Sequence, residues 1–122
     1  MDKKGLQQIN RLGNAFPARD DYEWDWSPDL PEKDCKNYTT WKYRECKERG
    51  VSHKHLAIAT VCTDRSGIEN HAMLLVYSEE DECVYGLDNM WRSVEKVGFF
   101  RRWGYDFVRI PVYMQELMAK EG

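Results

Sequence analysis

The second half of the chain contains four strand-sized apolar stretches, and their close spacing constrains the fold more than any other feature of the sequence. Beyond Gly50 the apolar residues stop recurring at helical intervals, and turn-forming segments at 64–67 and 78–81 separate the stretches. The predicted strands span residues 56–63, 71–77, 83–90 and 105–112. Because the connections are too short for crossover helices, we predict that these strands pair antiparallel.

The first half of the chain predicts two helices joined by an irregular loop. Residues 3–12 carry apolar side chains at helical spacing, and a second helix is predicted from 34 or 35 to about 49. Prolines exclude a regular helix from the aromatic loop between them, residues 19–33. Helices followed by an antiparallel sheet of about four strands predict an α+β fold.

Length and composition favour one globular domain that covers residues 1–122. A chain of this size buries about two thirds of its surface on folding, and 42% apolar with 32% charged residues is a globular composition. The net charge of −3 argues against a dedicated nucleic-acid binder, which carries a basic excess on one face. The longest apolar runs fall far short of the about 18–20 residues that span a bilayer, so we expect no membrane insertion.

The N-terminus shows no signal peptide, because its positive charge is not followed by an apolar segment or a cleavage site. We therefore expect a cytoplasmic protein with free thiols at its four cysteines, Cys35, Cys46, Cys62 and Cys83. These cysteines form no CxxC pair, so we predict no metal site.

Cys35 lies in the first turn of the second predicted helix, where a cysteine can act as a nucleophile. Asp34 before it is a good N-cap, whereas Asn37 stands where a capping box has Glu or Gln, so only half of that signature is present. The unpaired N–H groups and the positive end of the helix dipole stabilise a thiolate, which is the attacking species. A cysteine near a helix start is more often a small apolar residue, so its position alone does not make it catalytic.

A histidine and an aspartate on neighbouring predicted strands complete a candidate triad. If the hairpin closes over 78–81, Tyr77 pairs with Glu82, and the same register places His71 opposite Asp88. Their Cβ atoms are then about 5 Å apart. At that distance the carboxylate can orient the imidazole and leave its other nitrogen for a thiol. Thiol, base and orienting acid are the parts of an activated nucleophile.

Three segments around these residues resemble a known family. DCKNY at 34–38 resembles the family's Asp-Cys-acid-acid-Tyr, NHAML at 70–74 its Gly-His-Ala-Val-Leu, and GLDN at 86–89 its Val-Leu-Asp-Asn. The family is the bacterial transglutaminase-like cysteine peptidases, which include the periplasmic LapG-like adhesin-releasing proteases. Less specific likenesses in the flanking segments extend the resemblance over most of the chain.

The resemblance implies a papain-like or transglutaminase-like core with Cys35 as nucleophile, His71 as base and Asp88 as orienting acid. The backbone N–H of Cys35 is then a candidate oxyanion donor at the helix start. The resemblance also places the loop with Trp24 and Trp26 near the active site, where an indole N–H could bind an oxyanion or wall a substrate cleft. Packing of these two rings on the core is the alternative.

The sequence departs from the family pattern where the family binds calcium. Adhesin-releasing members bind calcium through acidic residues around the cysteine, but here Asp34 is followed, after Cys35, by Lys36 and Asn37. Calcium takes several oxygen ligands, usually including carboxylates, and an ammonium group opposes a divalent cation. We therefore do not transfer the calcium site and expect no cofactor. The short chain without a visible signal peptide favours a compact cytoplasmic or phage-encoded relative over an exported one.

The sequence therefore predicts a cysteine hydrolase that cleaves amide bonds in a protein or peptide through a thioester acyl-enzyme. One alternative passes the acyl group to an amine, as a transglutaminase or acyltransferase does, because cleft access decides between water and amine. The other is a catalytically inactive binding module on the same fold, since Lys36 and Asn37 show that the surroundings of the cysteine can change.

Overall fold

The structure is a computed structural model that describes residues 1–20 and 25–120. Within them the chain forms four α-helices and five β-strands, which confirms the predicted α+β class. The helices are α1 (Lys3–Asn14), α2 (Cys35–Glu48), α3 (Val97–Arg102) and α4 (Val112–Ala119). The strands are β1 (Leu56–Cys62), β2 (His71–Ser78), β3 (Cys83–Leu87), β4 (Glu95–Lys96) and β5 (Asp106–Arg109). None of these helices is long and apolar enough to span a membrane.

The strands form one antiparallel sheet in the order β4-β3-β2-β1-β5. The four predicted strands correspond to β1, β2, β3 and β5, whereas the two-residue β4 was not predicted. Strand β3 ends at Leu87 rather than at residue 90, because the Asp88 carboxylate accepts the Met90 backbone N–H at 3.3 Å and turns the chain. Strand β5 stops before Pro111, which caps α4 and has no N–H to continue a ladder.

Strand β2 is the centre of the sheet and is covered on both faces. Leu74 and Val76 pack into an apolar cluster with α1 and α2, and Met73 and Leu75 pack into a second cluster with α3 and α4. Each fully buried side chain of this kind contributes about 1.5–3 kcal/mol. Packing on both faces fixes the strand, and with it the position of His71 at its first residue.

Helix α2 begins with a complete capping box, of which the sequence predicted only half. The Asp34 carboxylate accepts the backbone N–H of Lys36 at 3.0 Å and that of Asn37 at 3.4 Å, and Asn37 Oδ1 accepts the Asp34 N–H at 3.1 Å. Asn37 thus performs the role of the usual Glu or Gln. Its amide also donates to the carbonyls of Asp25 and Ser27, so the preceding loop and the helix start form one hydrogen-bonded unit.

Candidate active site

Cys35 is the first residue of α2 and the most accessible of the four cysteines. Its side chain is half-buried, whereas Cys46, Cys62 and Cys83 are buried, and all four are free thiols. Burial raises the pKa of Cys46 to about 12. The accessible thiol is therefore the one at a helix N-terminus.

His71 and Asp88 meet, but through a different strand register from the predicted one. Nε2 of His71 lies 2.7 Å from Asp88 Oδ1. The hairpin turn occupies residues 79–82 rather than the predicted 78–81, so β2 pairs Tyr77 with Val84 and not with Glu82. A shift of two residues keeps every side chain on its predicted face. Asp88 reaches His71 from the residue after β3, not from a paired strand position.

The Cys35 thiol is the other side chain that interacts with the His71 ring, and it helps to raise the pKa of His71. Because Nε2 of His71 is hydrogen-bonded to Asp88, Nδ1 is the ring nitrogen that is available to the sulfur. The ring itself is only 7% exposed. The structure thus brings together the three side chains singled out in the sequence, in the order thiol, imidazole, carboxylate.

The charge on His71 is set by a competition between burial and its two neighbours. Burial disfavours the imidazolium, but the hydrogen bonds to Asp88 and Cys35 and the charge of Asp88 outweigh it and raise the pKa of His71 to about 9. Burial also opposes charge on Asp88, yet its hydrogen bond to His71 and the charge of that ring hold the pKa of Asp88 below its ordinary value. At neutral pH the pair is therefore an aspartate and an imidazolium.

Tyr105 belongs to the site, although the sequence did not point to it. Its hydroxyl donates to Asp88 Oδ2 at 2.5 Å and accepts the Trp91 indole N–H at 3.3 Å. Its ring packs edge-on against His71 with centroids 5.8 Å apart. Burial and the charge of Asp88 raise the pKa of Tyr105, so its hydroxyl remains a donor. No local pattern marks Tyr105, because it reaches Asp88 only in the folded sheet.

A buried lysine is linked to Asp88 through helix α1. Lys42 is fully buried, and its Nζ donates to Asn10 Oδ1 at 2.7 Å and to Asn14 Oδ1 at 2.6 Å. The amide of Asn14 in turn donates to the carbonyls of Asp88 at 3.0 Å and Trp91 at 3.2 Å. Two asparagines four residues apart on one helix face are the sequence signal that could have revealed this polar contact.

The two tryptophans remain predictions as site residues. Trp24 lies outside the described residues, and Trp26 is half-buried in the loop before α2. The carbonyls on both sides of Trp26, those of Asp25 and Ser27, accept the Asn37 amide at 2.9 and 2.8 Å. The backbone that carries Trp26 is therefore anchored to the first turn of α2.

Among residues 1–20 and 25–120, no group of three or more His, Cys, Asp or Glu side chains is placed to hold a metal ion. Asp34, the acidic neighbour of Cys35, lies 3.1 Å from the guanidinium of Arg19 and 3.1 Å from the ammonium of Lys36. The oxygen atoms beside the nucleophile therefore contact cations of the chain itself.

Comparison with known proteins agrees with this geometry. The sequence profile of the bacterial transglutaminase-like cysteine proteinases matches residues 3–117. The chain belongs to this family. The match includes α1, α2 and the whole sheet, so the family predicted from the three sequence segments is confirmed. No sequence among curated proteins is significantly similar to the chain.

Solved structures of LapG from Legionella pneumophila have a similar fold. Calcium-bound LapG is 17% identical with a TM-score of 0.65, over 98% of this chain and 80% of that chain. EGTA-treated LapG is 21% identical with a TM-score of 0.64, over 87% and 61%. A further LapG structure is 18% identical with a TM-score of 0.70, over 98% and 77%. The likeness confirms the predicted transglutaminase-like fold.

Proposed function

We propose that this protein is a cysteine peptidase that cleaves amide bonds of a protein or peptide through a thioester acyl-enzyme. The observation that supports it best is the row of Cys35, His71 and Asp88, in which the carboxylate lies 2.7 Å from one imidazole nitrogen and the thiol helps to raise the pKa of the same ring. In this proposal Cys35 is the nucleophile, His71 the acid and base, and Asp88 the orienting carboxylate. Membership of a cysteine proteinase family agrees with these roles.

Acylation uses the charged form of His71. The Cys35 thiolate attacks the carbonyl carbon of the scissile amide, and the His71 imidazolium gives its proton to the departing amine as the C–N bond breaks. The Asp34 carboxylate accepts hydrogen bonds from the backbone N–H groups of Lys36 and Asn37. We therefore propose that the backbone N–H of Cys35, at the same helix start, donates a hydrogen bond to the oxyanion that forms during the attack.

Deacylation uses the neutral form of His71. The imidazole takes a proton from a water molecule, whose oxygen attacks the thioester carbonyl carbon. The C–S bond breaks, which releases a carboxylic acid and restores the thiolate and the imidazolium. Asp88 keeps Nδ1 directed at the reacting atoms, because its own oxygens are held by the Tyr105 hydroxyl at 2.5 Å and the Met90 N–H at 3.3 Å.

The unusual residues after the nucleophile have structural roles, which favours an active enzyme over a drifted binding module. Asn37 completes the capping box, and the Lys36 ammonium pairs with Asp34 at 3.1 Å. Both residues thus maintain the helix start on which Cys35 lies. The family is one of proteinases, which favours water over an amine as the acyl acceptor.

Labelling with iodoacetamide, read for each cysteine by mass spectrometry, tests the proposed nucleophile. At pH 6 an ordinary thiol with a pKa near 8.5 is under about 1% ionised. We expect Cys35 to label at least about tenfold faster than the other cysteines, because the helix start and the imidazolium favour its thiolate. His71→Ala should slow Cys35 labelling at pH 6 much more than at pH 9, where thiols ionise with less help.

Cys62 is the internal control for this experiment. Hydrogen bonds from the Asp64 backbone and the Ser66 hydroxyl lower the pKa of Cys62, but the residue is only 1% exposed. Equal labelling of the four cysteines, or a His71→Ala variant that matches the parent at pH 6, would contradict the proposed thiol–imidazole pair.

Incubation with unfolded casein distinguishes hydrolysis from acyl transfer. We expect new amino termini, detected by mass spectrometry, that disappear in Cys35→Ala. If a primary amine added to the reaction is instead attached to glutamine side chains and no new termini form, the protein is a transglutaminase. Loss of both products together with an unreactive Cys35 would favour the binding module.

A further inference from the structure

The Asp34 carboxylate beside the nucleophile contacts two cationic side chains of the same protein. Its side chain is 4% exposed, and Oδ2 lies 3.1 Å from a guanidinium nitrogen of Arg19 and 3.1 Å from the Lys36 ammonium. Both contacts of Oδ2 are ion pairs without hydrogen-bond alignment. Oδ1 accepts the N–H groups of Lys36 and Asn37. Positive charge or an N–H donor therefore faces each carboxylate oxygen.

The structure fixes both cations in place. The Arg19 backbone N–H donates to the Lys33 carbonyl at 2.9 Å, and its Nε donates to Asn37 Oδ1 at 3.1 Å. A β-bridge between Ala18 and Lys33 holds the same segment. Lys36 lies in the first turn of α2 with its side chain 5% exposed. Removal of either cation would therefore leave a buried carboxylate short of a partner.

The surroundings of Asp34 do not fit a calcium ion. Calcium takes six to eight oxygen ligands, usually several of them carboxylates. Among the described residues, the Asp34 carboxylate faces two cations, and Asn37 Oδ1 is already occupied by the Arg19 Nε–H and the Asp34 N–H. A divalent ion would have to displace Arg19 and Lys36, and their charges would repel it if they stayed nearby.

We propose that Arg19 and Lys36 supply the positive charge at this helix start, and that the protein needs no divalent cation for its stability or for the reactivity of Cys35. A LapG structure of similar fold is calcium-bound, whereas this proposal assigns the positive charge beside the nucleophile to side chains of the chain itself. It goes beyond the proposed hydrolysis, because stability and thiol reactivity are measured without a substrate.

The first experiment compares the unmodified protein in EGTA with the same protein in millimolar CaCl2. We expect the Tm to differ by less than about 2 °C and the iodoacetamide rate of Cys35 by less than about twofold, because nothing binds the folded state preferentially. A larger calcium-dependent rise in either quantity would overturn the proposal. A Cys35 that is unreactive in both buffers would count against the peptidase but not against calcium independence, which the Tm then decides.

The second experiment removes the ammonium group with Lys36→Met. We expect the Tm to fall by about 5–10 °C, because breaking a buried ion pair leaves an uncompensated charge. The matched control is Arg44→Met, whose guanidinium pairs with Asp29 at 2.7 Å but is 41% exposed. Since exposed pairs contribute little, its Tm should change by less than about 2 °C. Equal Tm changes in the two variants would contradict the proposed role of Lys36.

The third experiment replaces the cation with an acid, in Lys36→Glu. Asp34 and the new carboxylate then need an external cation, so CaCl2 should raise the Tm of this variant by more than about 3 °C while leaving Lys36→Met unchanged. If the variant is unfolded in EGTA, recovery of its circular dichroism on calcium addition is the same readout. A variant that does not respond to calcium would overturn the claim that Lys36 stands in place of a divalent cation.

Discussion

The His71 ring lies between a carboxylate and a thiol in a site where water hardly reaches it. Burial alone would keep an imidazole neutral at pH 7, because its ordinary pKa is about 6.5. The contact with Asp88 reverses this preference, and Tyr105 supports it by donating a hydrogen bond that helps to lower the pKa of Asp88. The charge of the ring therefore depends on particular side chains that can be removed one at a time.

Replacement of Asp88 by Asn is expected to lower the pKa of His71 well below its value of about 9, because burial then acts with less opposition. The ring protons of His71, assigned with His71→Ala, report this titration by NMR. The alkaline limb of peptidase activity should move to lower pH in parallel, since acylation needs the imidazolium.

Glu79→Gln is the control for this titration, because Glu79 lies 3.4 Å from the more exposed His55 and should leave the His71 titration unchanged. Titration of His71 near pH 6.5 in the unmodified protein would contradict the assignment of an aspartate–imidazolium pair.

At the scale of elements, three boundaries meet to form the site: the start of α2, the start of β2 and the end of β3. The start of α2 was predictable to within one residue, because Asp34 gives a local capping signal. The end of β3 was not, since it depends on a bond from the Asp88 side chain to the Met90 N–H. Local signals therefore locate Cys35 better than they locate Asp88.

For the register of the β2–β3 hairpin, the sequence could predict which side chains share a face of the sheet, but not which residues pair. The turn lies one residue further along the chain than predicted, which shifts the pairing by two positions and leaves His71 and Asp88 on one side of the sheet. Helix α3 was not predicted because it has six residues and no side-chain cap. It forms where Val97 and Phe100 pack into the second apolar cluster, which is a property of the tertiary structure.

The contact between β3 and α3 predicts a large effect of Gly86→Ala. A Cβ at residue 86 would lie 2.5 Å from Met73 Cε and 2.5 Å from Phe100 Cε2, and the Phe100 ring is fully buried against Tyr105. Urea unfolding should show a loss of about 1–3 kcal/mol, as for other overpacked cores.

Gly98→Ala in α3 is the matched control, because nothing lies within 4 Å of its added Cβ. Its free energy of unfolding should stay the same or rise by up to about 1 kcal/mol, since alanine favours the helix. Equal losses in the two variants would show that glycine flexibility, and not close packing, matters at residue 86.

At the scale of the whole molecule, Lys42 joins α1, α2 and the loop after β3. Its hydrogen bonds to Asn10 and Asn14 continue to the Asp88 carbonyl. Gly13 makes this arrangement possible, because a Cβ there would lie 2.9 Å from Lys42 Cε. The two asparagines mark a polar contact in the sequence, but nothing local identifies Lys42 as its partner, since lysines are almost never fully buried.

Lys42 also makes the stability of the molecule depend on pH in a direction that can be measured. Burial lowers the pKa of Lys42 to about 7 from an ordinary value of 10.5. Below pH 7 the amine is protonated in both the folded and the unfolded state, and its burial opposes folding fully. Between pH 7 and 10.5 the unfolded chain binds the extra proton, so folding becomes more favourable as the pH rises.

Lys42→Met removes this dependence. It leaves His71 in place, and in both proteins the raised pKa of His71 makes folding less favourable as the pH rises from about 6.5 to 9. We expect the free energy of unfolding of the parent, relative to Lys42→Met, to rise by about 1 kcal/mol per pH unit between pH 7 and 9. Urea unfolding of both proteins at pH 6, 7, 8 and 9 measures the difference. The unsatisfied oxygens of Asn10 and Asn14 in the variant lower its stability equally at each pH, so they cannot produce a slope. Parallel curves would show that the buried amine keeps its proton, and that a charged lysine is stable at the contact of α1, α2 and Asp88.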